Sequence, residues 1–213
     1  MHKVFHRSFS KLIIKEPQVL IANGMRLVAS AVQTTLGPSG RNVAIDSFSP
    51  ELHTSTHGLH SDAKPLVTKD GVTVATNMRR LQTNNQLTRL GVQLMIDASE
   101  RTNEESGDGT TTTCVIASAI ISEARRIQSD PIKVRRGLKL GVKAICEQLD
   151  TMAIQVKNES DVRNLALISS NNDKGIADVL ARVYSEVGLN GAISIQDGDG
   201  THRETTVEFV SGL

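Results

Sequence analysis

Apolar residues recur at helical spacing through most of this chain, and the interruptions between them are glycine turns. Glu16-Pro17 opens a first helix, since proline costs nothing at the first helical position, and Leu20 or Ile21, Met25, Val28 and Val32 follow on one face. That helix is expected to end at Leu36-Gly37-Pro38. Val43-Ala44-Ile45 fits a short strand, and the polar segment from Ser47 to Pro65 reads as a solvated loop. Thr68-Lys69-Asp70-Gly71 forms an Asp-Gly turn leading into Val72-Thr73-Val74-Ala75. After Gln82–Gln86, the spacing predicts a helix with Leu87, Leu90, Gly91, Leu94 and Ala98 inward and Asp97, Glu100 and Arg101 outward. Beyond Gly107-Asp108-Gly109, a helix follows with Val115 or Ile116, Ala119, Ile120, Ala124 and Ile127 as its buried face.

Asp130-Pro131 caps and opens the next helix, whose Val134, Leu138, Val142, Ile145 and Leu149 keep the period to about Met152. The texture changes from Ala153. Ser160 is expected to cap a short helix through Leu167, and Ile168–Asp173 forms a polar break. Ile176, Val179, Leu180, Val183 and Val187 then mark a helix ended by Gly188. Ala192–Ile195 and Thr206–Val210 read as strands either side of the Asp197–Gly200 turn, with Val207 and Phe209 on one face. The predicted class is mainly α with small β elements.

Composition narrows the function classes. The 213 residues allow one large domain or two small ones, and 38% hydrophobic content suffices for a sizeable, mainly aliphatic core. A formal charge of +1, from 24 basic and 23 acidic residues, gives no global pull toward nucleic acid or acidic lipid. With no Trp, one Tyr and four Phe, no stacking platform for single strands is expected. The basic excess from Arg125 to Lys143 reads as a solvated helix face or a subunit contact. No apolar run approaches a membrane span. Neither nucleic acid nor membrane is therefore an expected partner. Cys114 and Cys146 lack C-x-x-C spacing and are expected to be buried free thiols, while His53, His57 and His60 lie in loop sequence too irregular to favour a metal. The first fifteen residues carry Lys3, Arg7, Lys11 and Lys15 and no acid, a composition shared by organellar transit peptides and frayed basic termini.

The chemistry concentrates in Glu105-Ser106-Gly107-Asp108-Gly109-Thr110-Thr111-Thr112-Thr113. A helix start offers free N–H groups and a positive dipole end, glycines let main chain approach an anion, and Asp108 suits a divalent cation. The competing reading is an Asp-Gly turn followed by a threonine N-cap. Two further glycine turns precede it, at Thr35-Leu36-Gly37-Pro38 and Lys69-Asp70-Gly71, and neither a Walker A loop nor a G-x-G-x-x-G loop after a strand is present. Two carboxylates, Asp70 and Asp108, match a magnesium-phosphate site in which one holds the metal and the other orients a water.

Five motifs stand in order: T-L-G-P-x-G-R-N from Thr35, T-K-D-G-V-T-V-A from Thr68, G-D-G-T-T-T from Gly107, R-G-L from Arg136 and I-S-x-N-x-D from Ile168. Together they resemble the N-terminal part of the group I chaperonins, the GroEL-like heat-shock subunits, from about Ser10 to Leu213. The resemblance implies an ATP-binding equatorial-type helical domain over 10–152 and the first half of an α/β intermediate domain over 153–213, with 1–9 a targeting or disordered extension. It implies nucleotide contacts by Thr35, Leu36, Gly37, Pro38, Lys69, Asp108, Gly109, Thr110, Thr111 and Thr112, Mg²⁺ on Asp108, and hydrolysis assisted by Asp70. Gly212 falls where the family hinges to its apical domain. The resemblance also implies that complete subunits form homo-oligomeric rings that use ATP to refold unfolded clients with a co-chaperonin, and the basic first fifteen residues lead to an expected location in a mitochondrion or related organelle or, alternatively, in the cytoplasm.

The departures are Ser39 in place of the family's lysine, a longer loop between Asp46 and Thr68, and an ending at Leu213 ahead of the family's remaining catalytic Asp, adenine-side contacts and client surface. The expectation is a chain that binds ATP without turning it over alone, with apolar helix faces exposed. The alternative is a non-catalytic nucleotide-binding or ring-interaction module.

Overall fold

A computed structural model describes residues 16–37, 39–46, 65–81, 83–196 and 205–210. The chain divides into two compact units, Met1–Gly137 and Leu138–Leu213. The first contains α1 (Pro17–Val32), a 3₁₀ turn at Gln33–Thr35, β1 (Val43–Ile45), β2 (Leu66–Thr68), α2 (Gly71–Asn77), a second 3₁₀ turn at Met78–Arg80, α3 (Gln86–Ser106) and α4 (Thr110–Ile127). It also holds the start of α5 (Pro131–Met152), and the second unit contains α6 (Glu159–Ser169) and α7 (Lys174–Val187). This is the mainly helical class that the periodicity predicts.

The core of the first unit joins Val28, Ala29 and Val32 of α1 to Val74 and Ala75 of α2, to Val92, Met95 and Ile96 of α3, and to Cys114 of α4. Two glycines set the crossing of α1 and α3. A Cβ on Gly24 would lie 2.0 Å from the Thr88 carbonyl oxygen, and one on Gly91 would lie 2.0 Å from that of Ile21, so the backbones touch where any side chain would separate them. This contact turns the buried face of α3 relative to the predicted stripe. Val92, Met95 and Ile96 point inward, whereas Leu90 and Leu94 are exposed. The predicted face of α4 is corrected too: Thr110 and Cys114 are buried, while Ile116, Ala119 and Ile127 are exposed, because only the first two turns of α4 reach the core.

Strand β1 pairs antiparallel with β2, Val43 opposite Thr68 and Ile45 opposite Leu66. The pair brings Lys69-Asp70-Gly71 back beside the helices. Neither β2 nor α2 is evident from the pattern, since α2 is too short to show a period and only the pairing with β1 defines β2. The 47–64 loop, with His53, His57 and His60, lies outside the described residues, as do 1–15, Pro38 and Gly212.

Helix α5 forms as the period predicts, yet it contains no buried residue. Leu140, Val142, Ile145, Leu149 and Met152 are each more than half exposed, as expected of an apolar stripe without its partner among the described residues. Cys146 is consequently exposed rather than buried, whereas Cys114 is buried. Burial pushes the Cys114 thiol above its ordinary value, opposed in part by the Ser99 hydroxyl. The folded state therefore keeps a proton that the unfolded chain releases, and stability falls as pH rises past the ordinary thiol range toward the raised value of the folded state. A thiol-reactive maleimide at neutral pH is expected to label Cys146 within minutes and Cys114 only after denaturation; equal labelling by mass spectrometry would contradict this packing.

In the second unit α6 packs against α7, with Val162 and Ala166 of α6 and Ala177 and Ala181 of α7 buried, and Arg163 pairs with Asp178 between the two helices. The cap of α6 is Asn158, whose Oδ1 accepts from the Asp161 N–H at 2.9 Å, and not Ser160, which is the second residue of the helix. Asp173 caps α7 after Asn171 and Asn172, both left-handed with φ of 59° and 68°. The strands predicted at 192–195 and 206–210 do not form. A strand needs a ladder, and neither segment has one among the described residues, with Ile195 and Val210 almost fully exposed.

Among the described residues no helix is long and apolar enough to cross a membrane.

Candidate functional site

Three turns of the first unit meet at the start of α4. Helix α3 ends on Gly107, with φ of 69°, whose N–H donates to the Asn103 carbonyl at 2.9 Å. Gly109 is left-handed as well, with φ of 83°, so the chain reverses within three residues and re-enters a helix at Thr110. Only glycine adopts these dihedrals without strain, which is why Asp108 stands between two of them. The expected threonine N-cap is absent: Gly109 holds that position and no side chain caps α4. The first N–H with an intrahelical acceptor is that of Thr113, which donates to the Gly109 carbonyl at 2.9 Å. The amides of Thr110, Thr111 and Thr112 thus form the uncapped positive end of an 18-residue helix.

The Asp70 turn abuts this helix start directly. A Cβ on Gly71 would lie 2.0 Å from Thr111 Oγ1 and 2.9 Å from Thr110 Oγ1, so the glycine is what admits the two threonines against α2. Asp70 is the N-cap of α2: its carboxylate accepts from the Val72 N–H at 3.4 Å, from the Thr73 N–H at 2.9 Å and from the Thr73 hydroxyl. That structural duty is not evident from the Asp-Gly turn alone, because it depends on the following segment being helical. Lys69 precedes it, half-buried.

The first turn joins through a hydroxyl. Thr35, buried at the end of its 3₁₀ turn, lies 3.1 Å from Thr111 Oγ1 and 2.8 Å from the Val32 carbonyl oxygen. A carbonyl can only accept, so the Thr35 proton goes to Val32 and Thr111 donates to Thr35. The Thr111 hydroxyl proton is therefore committed in this state, leaving backbone amides as the donors an arriving anion would meet. After Thr35 the chain passes exposed Leu36 and left-handed Gly37, φ 74°, and folds back so that the Arg41 N–H donates to the Thr34 carbonyl at 2.7 Å. Gly40 has no room for a side chain there, since a Cβ would lie 2.1 Å from the Thr35 carbonyl oxygen.

Asp108 is exposed, and its Oδ1 accepts from the Gly109 N–H at 2.6 Å. No group of three or more His, Cys, Asp or Glu side chains among the described residues could share a metal ion. A single solvent-facing carboxylate nevertheless fits Mg²⁺, which keeps waters and takes one or two carboxylates together with phosphate oxygens. Of the predicted residues, Thr35, Thr110 and Thr111 are brought into one cluster with the Asp70-Gly71 turn, Asp108 and Gly109 stand at its rim, and Thr112 is exposed on the next position of α4. Gly71, Thr102 and Thr113 are the participants that sequence reasoning missed. Thr102 bonds Thr113 at 2.9 Å, a contact across two helices that no local spacing announces.

Comparison with known proteins places this arrangement in context. The profile of the TCP-1/cpn60 chaperonin family matches residues 28–192. Chaperonin GroEL 1 of Rhodopirellula baltica is 37% identical over 195 residues, covering 89% of this chain and 31% of its own length. The chain thus spans about a third of the length of the curated relative it matches. Among solved structures, the chaperonin gp146 from the bacteriophage EL 2 (Pseudomonas aeruginosa), crystallised with ATP-BeFx, superposes with a TM-score of 0.65 at 27% identity, over 83% of this chain and 29% of that one. A second crystal form of the same protein gives 0.63 over 81% and 28%.

Proposed function

This chain belongs to the TCP-1/cpn60 chaperonin family, and from that membership we propose that it supplies the phosphate-binding half of an ATP site in a protein-folding chaperonin subunit. The observation that carries the reading is the uncapped start of α4 set against the Asp70-Gly71 turn and Thr35. In this reading the Thr110, Thr111 and Thr112 amides and the dipole of α4 hold the phosphates, Lys69 adds positive charge, and Thr35, Leu36 and Gly37 add contacts beside them. Asp108 would hold Mg²⁺, which when bound offsets phosphate charge. The glycines keep both turns low enough for the backbone to meet the phosphate oxygens. Preorganised donors of this kind act on charge that develops during phosphoryl transfer.

The same reading assigns 10–152 to an equatorial-type domain and 153–213 to the first half of an intermediate domain. It also assigns the chain to a homo-oligomeric ring acting on unfolded clients with a co-chaperonin. The curated relative is bacterial, which favours the cytoplasmic alternative over an organelle.

A second reading, a module that binds nucleotide without hydrolysing it, is favoured by the engagement of Asp70. Both of its oxygens already accept hydrogen bonds from the α2 start. Substitution separates the two duties. Asp70→Ala is expected to cost about 1 kcal/mol through loss of the cap, whereas Asp70→Asn keeps one oxygen to accept from the Thr73 N–H and with it most of the cap. If Asp70 also orients the attacking water, Asp70→Asn in a hydrolytically active assembly retains Mg-ATP affinity and loses turnover. Unchanged turnover in that variant would reduce Asp70 to a cap, whereas an unsubstituted assembly that binds Mg-ATP and never turns it over would make the binding module the better description.

A further inference from the structure

We infer that Thr102 and Thr113 are positioning residues, a hydroxyl clasp that holds the Gly107-Asp108-Gly109 turn in its binding geometry. Thr102 Oγ1 lies 3.0 Å from the Ala98 carbonyl oxygen and 2.9 Å from Thr113 Oγ1. The carbonyl must take the Thr102 proton, so Thr113 donates to Thr102 and the relay runs from α4 through Thr102 into the backbone of α3. It mirrors the relay on the other side of α4, where Thr111 donates through Thr35 into the backbone of α1. The two relays start two residues apart on α4 and anchor its first turn to two different helices.

The segment that the clasp closes has little else to fix it. Residues 103–108 are exposed, and two left-handed glycines articulate it. A Cβ on Gly107 would meet no atom within 4 Å, and one on Gly109 would meet only Thr102 Cγ2, at 3.8 Å. Thr102 is thus both a partner of the clasp and the side chain that borders the open side of Gly109. Losing the hydroxyl bond frees the turn to sample other dihedrals, and any anion or cation it holds is then bound only by the fraction of molecules with the turn in place.

The binding consequence rests on the nucleotide reading above; the conformational one does not, and the test keeps them apart. In the 213-residue chain, Thr102→Val removes the hydroxyl at matched shape. Amide exchange at Gly107 and Gly109, whose N–H groups donate to the Asn103 carbonyl and to Asp108 Oδ1, is expected to accelerate about fivefold, the scale of one neutral hydrogen bond, while the amides of Met95 and Ile96 in the core stay as protected as before. Thr113→Val should give the same pattern, and the double variant no more than either single, since both remove one bond. Thr102→Ser, which restores the hydroxyl, should restore exchange. Titration with Mg-ATP should then show a Kd about fivefold weaker in both valine variants and native in Thr102→Ser. Unchanged exchange in the turn, or an acceleration shared equally by Met95 and Ile96, would overturn the clasp. Faster turn exchange in a protein that fails to bind Mg-ATP even without substitution would uphold the clasp and defeat the nucleotide reading. If Thr102→Val does not fold, Thr113→Ala reads the same bond from the other helix.

Discussion

Asp108→Ala is expected to weaken Mg-ATP binding on the order of 100-fold, about 3 kcal/mol, with no loss of fold. The size follows from what the carboxylate would carry. It is the one acidic side chain in the turn that leads into α4, it is exposed, and its substitution leaves both left-handed glycines intact. Its hydrogen bond to the Gly109 N–H is local, so removal alters charge far more than packing. Asp108→Asn keeps the local acceptor and removes the charge, and should lose nearly as much affinity as the alanine. Calorimetric titration of both variants checks this. An Asp108→Asn variant with native affinity would mean that the residue only shapes the turn.

Gly91→Ala is expected to destabilise the first unit by about 3 kcal/mol, lowering its melting temperature by roughly 6–12 °C. A Cβ placed 2.0 Å from the Ile21 carbonyl oxygen cannot be accommodated by moving a flexible side chain, because the obstructing atom is backbone. Helices α1 and α3 must separate, and the core that both build around Val28 and Met95 opens with them. Gly137→Ala serves as the internal comparison. Gly137 lies in α5 with no atom within 4 Å of an added Cβ, and alanine there gains helix propensity worth about 1 kcal/mol. Opposite shifts in thermal denaturation are expected, and equal shifts would mean that α1 and α3 do not cross at these glycines.

Periodicity carried the reading wherever an element was long. Helices α1, α5 and α7 lie where their apolar residues and caps place them, because a three-turn amphipathic pattern with Pro at its start or Gly at its end has few other solutions. It misplaced the buried faces of α3 and α4. A count of large apolar residues favours Leu90 and Leu94, but the Gly24–Gly91 contact decides which side of α3 can approach α1, and a glycine contributes nothing to such a count. Helix α2 was illegible because seven residues show no period, and β2 because its two apolar residues make no run of their own and only the pairing with β1 defines it. The segments at 192–195 and 206–210 have strand composition without a strand, since alternation specifies a face and not the neighbour that completes the ladder.

The site was legible as three turns and illegible as one place. Thr35, Gly71 and Thr111 are far apart in sequence, and each is an ordinary turn or helix residue until the fold brings them together. Glycine requirements at 107 and 109 could be read locally, from dihedrals that a reversal between two helices needs. The cap formed by Asp70 and the clasp formed by Thr102 could not, because both depend on which helix lies alongside.

Mg-ATP held at the start of α4 should leave its mark on the amides there. Amide hydrogen exchange of the 213-residue chain, with and without a slowly hydrolysed Mg-ATP analogue, reads them. Protection is expected at Gly37, Gly109 and Thr110–Thr112, with α6 and α7 unchanged. Binding that protects the second unit and leaves Thr110–Thr112 exchanging as before would contradict it.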